Sequence, residues 1–223
     1  MSLTHLGAVL VGASCALLLS HNGFRLPQRP SQSVTMHASR RLTTRRRKHD
    51  PYFSDRAGID LYITEHVGDY RAAVEALVRS NDVALEVGCA GGLTTKFLGR
   101  SACVAYGVDK SGSDNMHAEQ QSYADSADNV HFEQIDAMDI GSLLQLSSRA
   151  AQEARLRCET SPRGFSVILI DISGSAKLSA VLDLLERYET CFKDSLRLVI
   201  IKSFRFACLC DRAQLFESVE DVD

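Results

Sequence analysis

The chain has 223 residues, of which 45% are apolar, and a formal net charge of −3 at pH 7. This length fits one α/β domain with short additions, and the apolar content supports a buried core, which excludes a chain that is disordered throughout. Eight Lys and Arg but no Asp or Glu precede Asp50, so the remainder holds 17 basic and 28 acidic residues, a balance of −11 that repels phosphate unless the charge is locally reversed.

The first 49 residues have the composition of a targeting leader. Residues 6–19 are apolar and uncharged, long enough for a signal-peptide core and short for a membrane span. Residues 21–49 are rich in Arg, Ser and Thr and contain no acid, as in organellar transit peptides. Together they resemble the two-part presequence of proteins imported into plastids with extra membranes, in which a Phe near the junction, here Phe24, is a feature.

We therefore expect residues 1–49 to be a disordered leader that directs the chain to an organelle, with the plastid favoured. A secretory signal, a mitochondrial presequence and a membrane anchor with a basic flank are the alternatives. No stable membrane insertion is expected after removal of the leader.

After the leader, helical and strand patterns alternate. Residues 50–82 are predicted to form an N-terminal helical segment, because apolar side chains recur at three- and four-residue spacing over residues 59–79. Residues 83–87 are a short apolar run suited to a strand buried on both faces. Further strands are predicted over residues 102–109, 130–136, 165–172 and 196–203, and further helices over 113–123, 142–157, 176–192 and 212–220. This alternation indicates a Rossmann-like parallel sheet over residues 83–223, with helices on both faces.

Seven cysteines are scattered along the chain without a recognisable metal or disulfide pattern. No CxxC pair occurs, and Cys208 with Cys210 is too little for a pair of metal ligands. Cys89, Cys103 and Cys191 lie in apolar or strand-like surroundings, where a free thiol acts as a small hydrophobe. The sequence therefore predicts no metal site and no disulfide framework.

A glycine cluster after the first predicted strand is the first candidate binding site. Gly88, Gly91 and Gly92 allow a sharp turn and a close approach of a ligand to the backbone. The helix that starts near Leu93 would direct its unpaired amides at a nucleotide-like or carboxylate-bearing ligand. A dinucleotide fingerprint needs a small residue where Leu93 stands, and a phosphate-binding loop needs Gly-Lys-Ser/Thr, whereas Lys96 follows two threonines. A strand, turn and helix without a ligand is the simpler alternative.

An acidic residue ahead of these glycines completes a longer motif, formed by Glu86, Val87, Gly88, Cys89, Ala90, Gly91 and Gly92. This segment resembles motif I of the class I S-adenosylmethionine (SAM) dependent methyltransferases, in which an acidic residue precedes a Gly with further small residues two and four places on. Ala90 stands where that pattern often has its middle glycine. The resemblance covers roughly residues 83–203 and implies that SAM is the cofactor and that this segment contacts it.

Carboxylates recur at the carboxyl ends of the predicted strands, the edge of a parallel sheet where ligands bind. Asp109 lies 17 residues past Gly92, where an acidic residue can accept both ribose hydroxyls. The resemblance implies that Asp136 accepts from the exocyclic amine of adenine and that Ala137 offers its backbone amide to a ring nitrogen. For both aspartates, capping of the following helix is the alternative.

The last two predicted strands end in Asp171 and Lys202, the candidate catalytic residues. Their placement resembles the FtsJ-type RNA 2′-O-methyltransferases, where a Lys near carboxylates helps to remove a hydroxyl proton so that the oxygen can attack the methyl group. That family's earlier catalytic Lys has no match, because no lysine lies between Lys48 and Lys96. Its closing Glu would fall beyond residue 223. A lysine that reaches solvent or pairs with Asp171 is the alternative.

Class I domains carry two more strands after the fifth, as an antiparallel edge pair. Only 20 residues follow Ser203. We therefore expect these C-terminal strands to be truncated and the strand of residues 196–203 to present an open apolar edge.

These patterns favour a SAM-dependent methyltransferase whose acceptor, an RNA, a protein or a small molecule, is not indicated by the sequence. A SAM-binding scaffold without turnover and an FtsJ-like RNA methyltransferase are the alternatives. An NAD-dependent oxidoreductase is opposed by Leu93. The oligomeric state is not indicated either.

Overall fold

The computed structural model describes residues 58–160, 162–172 and 176–213. The predicted leader lies outside these residues, so organellar import stays a prediction. Within the described chain, no helix is both long and apolar enough to cross a bilayer.

Six strands form one sheet in the order β1-β6-β5-β2-β3-β4, and each neighbouring pair is parallel. Five of them follow the doubly wound order, which reverses at β2. The predicted Rossmann-like fold is therefore confirmed. The strands are β1 (Asp60–Thr64), β2 (Val83–Val87), β3 (Val104–Asp109), β4 (Val130–Gln134), β5 (Val167–Ile170) and β6 (Leu198–Lys202). The helices are α1 (Val67–Leu77), α2 (Leu93–Ser101), α3 (Asp114–Ser126), α4 (Ile140–Arg157), α5 (Leu178–Cys191) and α6 (Phe204–Arg212).

The central strand β2 is buried along its whole length, as a strand covered on both faces must be. Ala84 packs in the hydrophobic cluster that includes Tyr70 and Val74 of α1. Leu85, on the other face of the sheet, packs in the cluster that includes side chains of α4 and α5. Side chains alternate between the two faces along a strand, so Glu86 lies on the same face as Ala84, toward α1 and α2. Helices on both faces, as predicted, thus divide the core into two layers.

The predicted helix over residues 59–79 is wrong over its first part. Asp60–Thr64 is a strand, and the helix begins at Val67. The segment DLYIT contains aromatic and β-branched side chains, which fit a pleated strand better than a helix. The helix α6 was not predicted, and at its start the Ser203 side chain accepts from the Phe206 amide. The helix predicted over residues 212–220 stays a prediction over nearly all of its length. Residues 214–220 lie outside the described chain.

Strand β6 does not form the open edge that the sequence predicts. Residues Asp60 to Thr64 of β1 pair with Leu198 to Lys202 in parallel register. The Ser203 amide also donates to the Thr64 carbonyl at 2.9 Å. The edge strand of the sheet is thus supplied by the N-terminal side of the described chain, which the sequence assigned to a helix.

A buried ion pair holds the opposite, amino-terminal end of the sheet. Asp82 is 2% exposed and accepts from the Arg197 Nε at 2.9 Å, from the Ser166 hydroxyl at 2.8 Å and from the Arg79 amide at 2.7 Å. A buried carboxylate is tolerated when donors surround it in this way. The sequence analysis did not identify this cluster.

A disulfide between Cys103 and Cys158 corrects the prediction for the cysteines. It joins the residue before β3 to the residue that follows α4. The two cysteines are separated by 55 positions in sequence, and no spacing pattern reveals that they pair. Cys191 is exposed rather than buried, whereas Cys89 is a buried free thiol, as predicted.

Reduction of this disulfide is expected to destabilise the protein by about 2–4 kcal/mol, because the crosslink restricts a long loop of the unfolded chain. Urea unfolding with and without a thiol reductant measures the difference. Cys158→Ser should reproduce the loss, whereas Cys191→Ser, at an exposed free cysteine, should not. Free thiols at both Cys103 and Cys158 in non-reducing peptide mapping would contradict the crosslink.

Candidate functional site

The candidate site lies at the carboxyl end of β2, where the strand order reverses between β3 on one side and β5 on the other. Ligands of doubly wound folds bind in the crevice at this point. The loop of residues 88–92 enters the crevice directly from β2 and leads into α2.

Two glycines of this loop are required by its geometry. Gly88 has φ +78°, and a Cβ at this position would collide with the Asp171 carbonyl. Gly92 has φ +83°, and a Cβ there would collide with the Phe132 ring. Ala90 has φ +45° although it is not a glycine. The loop therefore accommodates the alanine that departs from the methyltransferase pattern, in a left-handed conformation that costs an L-residue about 1–2 kcal/mol.

Backbone hydrogen bonds hold this loop on the end of β3. The Gly88 and Cys89 amides donate to the Val108 carbonyl at 2.8 and 3.1 Å, and the Gly92 amide donates back to the Cys89 carbonyl at 2.8 Å. Gly91, at the tip of the loop, is partly exposed. Burial raises the pKa of the Cys89 thiol, so this side chain stays protonated under the loop.

Asp109 contacts the glycine loop directly. Its carboxylate accepts from the Ala90 amide at 3.1 Å and from the Ser111 amide and hydroxyl at 3.0 and 2.8 Å. The helix-capping alternative does not apply here, because Ser113 caps α3. The structure thus brings Asp109 and the loop together at one place.

Asp136 and Ala137 follow the next strand along the sheet. Gln134 pairs in register with Asp109, and the Ile135 amide donates to the Asp109 carbonyl at 3.1 Å, so Asp136 lies one strand away from Asp109. The exposed Asp136 carboxylate accepts from the Met138 amide at 2.9 Å.

The loop after Asp136 is fixed to the body of the domain. Asp139 rather than Asp136 caps α4, since it accepts from the Ser142 amide at 3.1 Å. The Ala137 carbonyl accepts from the Tyr188 hydroxyl at 2.7 Å. The Ala137 amide donates to no atom within the described part of the chain.

A small cleft of about 140 Å³ adjoins Asp109. Pockets for drug-sized ligands usually measure at least ~300 Å³, so this conformation offers only part of the space for a nucleoside. The Gln120 amide group narrows the opening, because it donates to the Ala90 carbonyl at 2.6 Å. No pattern in the sequence indicated Gln120, whose role depends on how α3 packs. The cleft is lined by Asp109, Ser111, His117, Gln120, Phe132, Glu133 and Gln134.

Glu86 is a buried carboxyl group, 2% exposed, below the glycine loop. The Thr95 hydroxyl donates to it at 2.5 Å. Burial raises the pKa of Glu86 to about 8, and the nearby Asp171 carboxylate adds to the rise, although the Thr95 hydrogen bond opposes it. Glu86 is therefore mainly a neutral acid at pH 7.

Asp171 and Lys202 form an ion pair at the ends of β5 and β6. The Lys202 Nζ lies 2.6 Å from the Asp171 Oδ2, and the side chains are 22% and 19% exposed. The pairing that the sequence analysis gave as the alternative for Lys202 is therefore present. Strand register places both side chains on the face that carries Glu86. Residues 173–175, which follow this end of β5, lie outside the described chain.

Tyr70 of α1 lies on this same face and was not singled out as a site residue from the sequence. Its side chain is fully buried, and its hydroxyl has no hydrogen-bond partner among the described residues. Burial raises the pKa of Tyr70, and the charges of Glu86, Asp171 and Cys89 raise it further. The tyrosine therefore lies within electrostatic range of the two site carboxyls.

No protein-family model and no curated protein sequence matches the chain. Among solved structures, the chain is similar to a dimethyladenosine transferase from Plasmodium falciparum, at 18% identity and a TM-score of 0.36 over 56% of this chain and 38% of that one. An rRNA methylase from Streptococcus thermophilus matches at 11% identity and a TM-score of 0.42, over 72% and 91% of the two chains.

A precorrin 8w decarboxylase from Methanobacterium thermoautotrophicum matches at 19% identity and a TM-score of 0.39, over 61% of this chain and 63% of that one. This chain spans less than two thirds of the Plasmodium transferase and of the decarboxylase. These likenesses are weak, and the order of the strands itself establishes the Rossmann-like fold.

Substitution of Glu86 by Gln is expected to change how stability depends on pH. Because the folded state raises the pKa of Glu86 from 4.5 to about 8, it holds a proton that the unfolded chain releases, so this carboxyl's contribution to stability is present below pH 4.5 and is lost as the pH rises toward 8. Gln does not ionise. Between pH 5 and pH 8, the free energy of unfolding of the variant should improve relative to wild type by more than about 1 kcal/mol.

Urea unfolding at pH 5 and pH 8 measures this difference. Glu75→Gln, on the exposed side of α1, is the matched control and should track wild type at both pH values. Parallel pH profiles for wild type and Glu86→Gln would contradict a protonated Glu86.

Proposed function

We propose that this protein is a SAM-dependent methyltransferase of the class I type. The observation that carries the proposal is the contact between the Ala90 amide and the Asp109 carboxylate, at 3.1 Å. It joins the glycine loop and the candidate ribose-binding acid in one crevice at the reversal point of the sheet. A single nucleoside can address both groups there.

The residues present fit such a cofactor. Gly88 and Gly92 let the Asp171 carbonyl and the Phe132 ring pack directly against the loop, which holds the loop at the start of α2, where backbone amides can face a ligand. Asp109 is held by donors from Ala90 and Ser111, which ribose hydroxyls can replace. The Asp136 carboxylate and the Ala137 amide are available to hydrogen-bond the adenine base of the cofactor. Opening of the Gln120 contact with Ala90 would provide the additional space that a nucleoside needs.

When bound, SAM supplies an electrophilic methyl group, and the chain supplies position and proton handling. The Asp171 and Lys202 side chains are partly exposed and adjacent, so an acceptor hydroxyl can reach both. In this pair Asp171 can accept the hydroxyl proton, while the Lys202 ammonium stabilises negative charge on the oxygen. Alignment of the acceptor with the methyl group would contribute most of the rate.

The ion pair of Asp171 with Lys202 favours a hydroxyl group as the methyl acceptor. An RNA ribose, a protein side chain or a small molecule can each carry such a hydroxyl. The FtsJ-like RNA methyltransferase is the more specific form of the proposal, and the charge of −11 after the leader weighs against it. A SAM-binding scaffold without turnover is the second candidate, favoured by the direct pairing of Lys202 with Asp171, which occupies both candidate catalytic groups. Organellar import, with the plastid favoured, is proposed from the leader alone.

Cofactor binding is expected to depend on Asp109. Asp109→Asn should weaken SAM binding at least tenfold, because the variant loses a charged acceptor for hydroxyl groups. Titration calorimetry with SAM on the protein without residues 1–49 measures the affinity. Asp194→Asn, at an exposed aspartate, should bind as wild type does. Absence of SAM binding by wild type, with no effect of either substitution, would defeat the proposal.

Methyl transfer is expected to depend on Lys202. Wild type should transfer labelled methyl groups from SAM into one fraction of cell extract, and Lys202→Met should lower that transfer by at least about a hundredfold with little change in SAM affinity. Lys193→Met, at an exposed lysine, is the control. RNase and protease treatment of the labelled fraction identifies the acceptor class. SAM binding without transfer into any fraction would favour the scaffold.

A further inference from the structure

We propose that Tyr70 is a positioning residue of the cofactor site, whose hydroxyl donates to the Glu86 carboxylate when a cationic cofactor binds and the Glu86 proton leaves. The inference rests on the proposed function, because it takes SAM as the cation. Tyr70 thereby becomes a residue of the cofactor site that lies outside the glycine motif, and cofactor binding is coupled to the release of the Glu86 proton.

Strand register and core packing place the two side chains together. Glu86 pairs across the sheet with Leu169, and Leu169 pairs with Ile200. Leu169, Ile200 and Tyr70 belong to the same core cluster, so Tyr70 covers the strip of the sheet on which Glu86 lies. The effect of the Glu86 charge on the pKa of Tyr70 agrees with this proximity.

Within the described chain, the Tyr70 hydroxyl is a donor without an acceptor, and the Glu86 carboxyl is an acceptor with few donors. The Tyr70 hydroxyl is fully buried without a partner among the described residues, which is rare for a buried polar atom. Among the described residues, Glu86 accepts a side-chain hydrogen bond from Thr95 alone. Asp82 is equally buried but accepts from donors of three residues. The Glu86 carboxyl therefore has fewer donors than the buried Asp82 carboxylate, and Tyr70 is a donor without a partner in the described chain.

Three charged groups act on Glu86, one from α1 and one each from the ends of β5 and β6. Asp171 of the β5 end favours the protonated form of Glu86, whereas Arg71 of α1 and Lys202 of β6 favour the ionised form. Cys89 of the loop is held as a neutral thiol by burial. Desolvation outweighs these charges in the protein alone. An added positive charge in the crevice shifts this balance toward the carboxylate.

The step balances without any further reactant. The O–H bond of the Glu86 carboxyl breaks, and its proton passes to the buffer. The carboxylate keeps the Thr95 hydrogen bond and gains one from the Tyr70 hydroxyl, which keeps its own proton. The net charge of the protein falls by one as one cation enters.

Titration calorimetry of SAM in two buffers with different ionisation enthalpies, at pH 7, counts the protons released. We expect close to one proton per SAM for wild type, because Glu86 with a pKa of about 8 is mainly protonated before binding. Glu86→Gln should abolish this release. Asp109→Asn should bind more weakly and still release the proton, which separates this site from the ribose site.

Tyr70→Phe tests the hydroxyl itself. Because the hydroxyl donates only to the ionised carboxyl, the variant should bind SAM nearly as wild type does at pH 5 and at least about fivefold more weakly at pH 8, with less proton release at pH 7. The titration of SAM itself is common to both proteins and cancels in this comparison. Circular dichroism and thermal unfolding establish that the variant is folded.

The Tyr70→Phe and proton-release measurements each support or contradict the role of Tyr70. A Tyr70→Phe variant that matches wild type at every pH would overturn it and would show that the hydroxyl is only tolerated in the core. SAM binding without proton release would overturn the coupling while leaving the methyltransferase proposal intact. No SAM binding by wild type at any pH would overturn both.

Discussion

The close approach of two backbones, Gly88 at the end of β2 and Asp171 at the end of β5, is the constraint on which the site depends. No Cβ fits between them, so the strands can converge only with glycine at this position. Convergence aligns Glu86, Asp171 and Lys202 along one face of the sheet. It also sends the following loop toward Val108 and Asp109 rather than over β5. The proposed cofactor-binding and acceptor-binding groups thus depend on the same close backbone contact.

The buried carboxyl groups at the two ends of the sheet differ in how many hydrogen-bond donors surround them. At the amino-terminal end, the Asp82 carboxylate accepts from donors of three residues and is a structural anchor with Arg197. At the carboxyl-terminal end, Glu86 has one donor and stays protonated near neutral pH. Satisfied charges stabilise a fold, whereas incompletely satisfied ones mark places where a ligand can change the energy balance. The amino-terminal end is therefore the more completely satisfied of the two, and the carboxyl-terminal end is where the proposed ligand would bind.

Local patterns in the sequence predicted the parts of this architecture that depend on local signals. The glycine loop, the strand ends with Asp109, Asp136 and Asp171, and the helix faces follow from spacing and periodicity. Other features were missed because they depend on partners distant in sequence, among them the pairing of β1 with β6, the disulfide between Cys103 and Cys158, the buried Asp82 cluster, and the Tyr70 hydroxyl that has no partner among the described residues. For a tyrosine on the apolar face of a helix, the sequence does not indicate which polar group its hydroxyl will lie near. Likewise, DLYIT becomes a strand only beside β6.

The pairing of β1 with β6 bears on the order in which the sheet can form. The Thr64 hydroxyl donates to the Ile201 carbonyl, 137 residues further along the chain, so β1 stays without this partner during synthesis until β6 has been made. Such distant pairing makes folding slow. Cleavage of the predicted leader would have to fall upstream of Asp60 to leave the domain its outer strand.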